Sequence, residues 1–183
     1  MSAKRVLLTA VLCLGLIFGI FQGASAQTGN VCVILAYEDT QTFSNSDCDS
    51  YTVGYTWVAV SPGLVKEFVN ATSISAAFWG DNVKFGVSPE EAASLWLPMD
   101  TRDSAGLGFY CPNPTGLVYR AKFRMDIGKL APGTYNLFFF DTLSHPLNDG
   151  TVSCVDDQGQ HFPNIIYSGT FIDNYTEAIT ITP

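Results

Sequence analysis

Histidine is scarce in this chain, two in 183 residues, and bases are outnumbered, nine Lys and Arg against seventeen Asp and Glu. No Gly-x-Ser-x-Gly elbow exposes a serine, and no Cys-x-x-Cys pair offers a zinc-ribbon or thioredoxin-like site. With His145 and His161 as the sole histidine bases, each in a Pro-containing turn-like stretch, a serine esterase or protease lacks its machinery. The acid excess repels phosphate backbones and anionic lipid, which argues against nucleic-acid and membrane-surface partners. No apolar run beyond residue 26 is long enough to span a bilayer.

Such a run does occur at the start. Lys4 and Arg5 precede an apolar stretch at 6–21, and Ala24-Ser25-Ala26 supplies the small residues of a cleavage site. The expectation is a signal peptide at 1–26 and one domain at 27–183, exported to the cell surface, the periplasm or the extracellular space. Cys13 lies within the apolar stretch and has no lipoprotein box around it. Removing 1–26 takes two bases and no acid, which leaves seven bases against seventeen acids.

Four cysteines remain, Cys32, Cys48, Cys111 and Cys154, an even number in a chain addressed to an oxidising compartment. Two disulfides are expected in one of three connectivities, the first choice pairing neighbours, Cys32 with Cys48 and Cys111 with Cys154. Valine, isoleucine, threonine and aromatics are plentiful and charge is low, which favours sheet over helix and over disorder.

The clearest strand is 119–127, where Tyr119, Ala121, Phe123, Met125 and Ile127 alternate with Arg120, Lys122, Arg124 and Asp126. A Pro-Gly turn then leads to 136–143, whose three consecutive phenylalanines mark a strand buried on both faces. Further strands are expected at 31–38, 51–60, 73–79, 83–87, 107–111, 164–172 and 178–182. Residues 65–70 fit a strand or one helical turn. One short helix begins at Ser88, with Pro89 at its first position, Glu91 completing a capping box and Pro98 ending the segment. The stretch Leu130-Ala131-Pro132-Gly133-Thr134-Tyr135 resembles the corner between two late strands of immunoglobulin-like and fibronectin-type modules. That resemblance implies an all-β antiparallel sandwich, immunoglobulin-like or jelly-roll in type, with Tyr135 bonding back across the corner. It implies no function.

Candidate sites follow from residue type and position. Asp141 ends an apolar strand where burial would raise its pKa, making it one half of a glycosidase carboxylate pair; the competing expectation is a strand-end acid turned to water. His145 is the other weak catalytic candidate. Arg120, Lys122 and Arg124 form a basic stripe able to hold a carboxylate ligand, although pairing with acids on neighbouring strands is the stronger expectation. Trp57 and Trp96 are expected in the core, whereas Trp79, beside a hairpin tip, is the candidate sugar platform. Asp47 and Asp49 open like a calcium loop but lack its glycine and glutamate, and Asp156 to Gly159 reads as ordinary turn chemistry. Asn70 and Asn174 lie in glycosylation sequons. The expected role is a non-enzymatic binding or structural module, with a carbohydrate or a protein as partner and no required cofactor. A polysaccharide hydrolase and a calcium-stabilised adhesion module are the alternatives.

Overall fold

A computed structural model describes residues 29–81, 83–112 and 115–183, without the side chains of 171–177. The expected leader, with Cys13, and the Asn174 side chain lie outside the described part. No helix among the described residues is long and apolar enough to cross a membrane.

The chain is mostly strand: β1 Val31–Leu35, β2 Thr40–Ser44, β3 Ser50–Ala59, β4 Thr72–Gly80, β5 Val83–Val87, β6 Trp96–Asp103, β7 Phe109–Tyr110, β8 Leu117–Gly128, β9 Gly133–Leu147, β10 Val155–Asp156 and β11 Tyr167–Thr182. They form a four-stranded sheet in the order β1-β3-β8-β6, a five-stranded sheet in the order β2-β11-β9-β4-β5, and a small β10-β7 ribbon. The large sheets face each other. Tyr55 and Phe123 of the first meet Phe139 of the second, each with ring centroids 5.7 Å apart.

The sheets are not wholly antiparallel, which corrects the expected architecture. β1 pairs with β3, and β2 with β11, in parallel. A parallel neighbour requires a crossover connection, and residues 36–49 provide one by placing β2 in the opposite sheet. Gln41 ties the two halves of this crossover, accepting from the Leu35 amide at 2.8 Å and donating to its carbonyl at 2.9 Å. β2 carries no strand signature in the sequence, since Thr-Gln-Thr-Phe-Ser is short and polar, as an edge strand is permitted to be.

Among the described residues there are two α-helices rather than one. The undecided 65–70 belongs to α1, Pro62–Ala71, which the Ser61 side chain caps and which buries Val65, Phe68 and Ala71. Phe68 stacks on Trp57 at 4.1 Å and meets Trp96 edge-on at 5.9 Å. The helix thus closes the aromatic core, and burying a ring such as Phe68 stabilises by about 2–3 kcal/mol. α2, Pro89–Ala92, has the expected capping box but ends early. One 3-10 turn follows, Ala93–Leu95, and Trp96 then opens β6. Pro98 therefore terminates no helix. It lies on an edge strand at a register shift between Leu97 and Asp100, where its missing N–H costs the ladder nothing.

Residues 164–172 and 178–182 contribute to one irregular strand, β11, whose pairing with β9 carries three register shifts. The expected strand at 107–111 is a 3-10 turn, Ala105–Leu107, followed by the two residues of β7. Both disulfides join the neighbours chosen first, Cys32–Cys48 with Cα atoms 5.5 Å apart and Cys111–Cys154 at 4.1 Å. On the loop-entropy model they contribute about 3 and 4 kcal/mol. Tyr135 donates its hydroxyl to the Ala131 carbonyl at 2.8 Å, the bond its corner position calls for.

Candidate functional site

The alternation of β8 turns Arg120, Lys122 and Arg124 to the outer face of the four-stranded sheet, while Ala121, Phe123 and Met125 fill the core. Their charges meet different ends. Asp100 on β6 stands opposite Arg120 in register. Arg120 donates Nε to Asp100 Oδ1 at 2.8 Å and Nη2 to Oδ2 at 2.7 Å, and Lys122 Nζ reaches Oδ2 at 2.7 Å. The Arg120 hydrogen bonds, with help from Lys122, hold the Asp100 carboxyl well below the usual range. Two of the three cations are therefore paired across strands, as expected. Asp100 lies on β6, whose strand character Pro98, two positions before it, hides in the sequence.

Arg124 differs. Its Nη1 donates to the Phe123 carbonyl at 2.7 Å and to the Tyr55 carbonyl at 3.4 Å. The ion pairs among the described residues are Arg120–Asp100, Lys122–Asp100 and His145–Glu67, so Arg124 enters none. Gly54, its register partner on β3, permits this posture: a Cβ there would sit 2.7 Å from Nη1, so only glycine lets the guanidinium lie against the sheet. Burial, and secondarily repulsion from Arg120, lower its pKa from the usual value.

A groove of about 470 Å³ opens over Arg124. Val31 and Val33 of β1 form one wall, Leu95 and Leu97 the other, with Thr52 and Asp126 beside the arginine. Val31 and Leu97 are 45% and 43% exposed, a substantial apolar surface left to water. This groove is the candidate site, and the sequence signalled only its arginine.

The catalytic candidates are placed otherwise. Asp141 does not point to water, which corrects the stronger expectation. β9 runs on to Leu147, so Asp141 lies within the strand, inward-facing between Phe139 and Leu143, with 0% exposure. Neither carboxylate oxygen has a hydrogen-bond partner among the described residues. Burial alone pushes its pKa up to about 7. At 0% exposure the carboxyl does not meet solvent. His145 is half-exposed, 3.3 Å from Glu67 Oε1 through Nε2 and 3.1 Å from Ser144 Oγ through Nδ1. That Ser-His-Glu string lies open to solvent, where a nucleophile gains no water-excluded pocket.

Asp49 Oδ2 accepts from the Asn30 amide at 2.7 Å, and Asp47 Oδ1 accepts from Ser46 Oγ at 3.3 Å. Among the described residues no group of three or more His, Cys, Asp or Glu side chains is arranged to hold a metal. Asp156 caps its own turn, accepting from the Gln158 and Gln160 amides. Trp79 is half-buried at the end of β4, and Phe138 and Phe140 lie nearly parallel on β9, centroids 6.2 Å apart. Trp57 and Trp96 join the core cluster. Asn70 is exposed at the end of α1.

No family model, no curated protein and no solved structure matches this chain.

Proposed function

We propose that the protein is an exported, non-catalytic binding module of immunoglobulin-like type whose ligand seat is the outer groove at Arg124. One observation carries this reading: a half-buried guanidinium that enters no ion pair among the described residues, set between apolar walls on a solvent-facing sheet. A cation so placed has already lost part of its hydration, so an incoming anion gains more from it than from a fully solvated arginine. Two formed disulfides support an oxidising compartment, and the Tyr135 corner bond supports the module type. Binding rather than turnover is favoured because the candidate carboxylate Asp141 is sealed and His145 stands in open solvent.

The test is a thermal-shift screen of the disulfide-intact protein against carboxylates, phosphate, neutral sugars, amines and calcium, repeated with Arg124→Gln. An anionic ligand at a hundred times its dissociation constant adds about 2.7 kcal/mol, a rise of roughly 5–11 °C for this size of domain. The expected outcome is a shift with one anionic class, lost in Arg124→Gln and accompanied by no product. A screen in which no anion shifts the protein through Arg124, or in which the bound ligand is consumed, overturns the reading.

A further inference from the structure

We infer that the groove takes an aliphatic monocarboxylate, its head group on the Nε–H and Nη2–H edge of Arg124 and its chain along Val31, Val33, Leu95 and Leu97. This rests on the binding reading above and narrows it. The protein contains its own example of the head-group contact. On the same strand face, Arg120 presents that same guanidinium edge to Asp100 as a two-pronged contact, 2.8 Å and 2.7 Å. In Arg124 the backbone carbonyls engage Nη1 instead, and Nε and Nη2 have no acceptor among the described residues. A planar carboxylate fits that edge with two parallel hydrogen bonds.

The surroundings select within the anions. Asp126 stands beside Arg124 in the groove, so one positive charge faces one negative neighbour and a dianion such as phosphate is disfavoured. Acidic polysaccharides and acidic peptide loops need several cations in a row, but Arg120 and Lys122 are held by Asp100. The walls are aliphatic, which offers a neutral sugar no ring to stack on but gives an alkyl chain apolar surface to cover. A volume of about 470 Å³ suits a small molecule of this kind.

Calorimetric titration of the disulfide-intact protein at pH 7 with butanoate, hexanoate, octanoate and decanoate tests this, with octanol and octylamine as controls. Affinity should rise about three-fold per added methylene, the upper limit for full burial being about four-fold. Octanol and octylamine should bind far more weakly than octanoate. Arg124→Gln should weaken octanoate at least about ten-fold, the loss of a charge-assisted pair. Leu97→Ser, at a wall position that is 43% exposed, removes apolar surface without adding charge and should weaken octanoate much more than butanoate, and it decides the matter if Arg124→Gln fails to fold. A flat chain-length series, or octanol binding as tightly as octanoate, overturns the inference. If acidic sugars or peptides with an apolar C-terminus bind through Arg124 while the alkyl series stays flat, the inference falls and the binding module stands. If no ligand depends on Arg124, both fall.

Discussion

Asp141 and Asp149 leave the same stretch of chain, one inside β9 and one in the turn after it, and both are buried, at 0% and 7% exposure. Asp149 is fully supplied with donors. Its Oδ1 accepts from the Thr151 amide at 2.8 Å and the Thr151 hydroxyl at 2.7 Å, and its Oδ2 accepts from the Tyr167 hydroxyl at 2.9 Å. Asp141 has the Phe139 and Leu143 positions before and after it on the inward face and no donor among the described residues. The contrast teaches that burial alone does not decide whether an acid belongs in a core. Donor supply does, because a desolvated carboxylate without hydrogen bonds favours its neutral form. Asp141 also bears on its neighbour: burial first, and then the Asp141 charge, raise the Tyr55 hydroxyl well above its usual value.

The largest effect expected from breaking this contrast is at Asp141. Its folded pKa, about 7, lies above the unfolded value near 3.8, so the stability it allows is fully present below about pH 4 and is lost as pH rises through about 7. That difference corresponds to about 4 kcal/mol. Urea denaturation should show the protein more stable at pH 5 than at pH 8, with Asp141→Asn flattening that slope and stabilising the protein at pH 8. Wild-type stability that holds steady or climbs from pH 5 to 8, unchanged in the variant, would refute this. Asp100 acts in a separate window: its lowered pKa gives stability present above about pH 4 and lost below it.

Asp149→Ala should act in the opposite direction and destabilise by about 2–3 kcal/mol at pH 7, since it strands the Thr151 and Tyr167 donors. Equal responses of the two aspartates to substitution would erase the distinction between them. The smallest change is Tyr167→Phe, expected to cost about 1 kcal/mol in the same urea assay, because Asp149 keeps both Thr151 bonds.

The inward position of Asp141 is local in one respect and remote in another. Tyr135, Leu137, Phe139, Asp141 and Leu143 alternate without a break, a pattern that places the acid inward. The Ser144-His145-Pro146 stretch is turn-like in sequence, and an acid at the end of a strand ordinarily faces water. The strand continues because β11 pairs with it as far as Leu147, a contact from distant chain that no local window contains. The groove was half legible for the same reason. The outward direction of Arg124 could be read from β8, but its walls come from β1, β6 and the turn after α2.

Amino-acid order was enough for the properties that depend on near neighbours: the pleat of β8, the capping box at Ser88 and the pairing of neighbouring cysteines, Cys32 with Cys48 and Cys111 with Cys154. It was not enough to say which cation is neutralised and which acid is sealed away. Side-chain direction along a strand follows from a two-residue repeat, whereas the partner of a charge comes from the adjacent strand, and that register is set by pairings remote in sequence. Asp100 reaches Arg120 and Lys122 through the β6–β8 pairing, and Arg124 is left open to the groove.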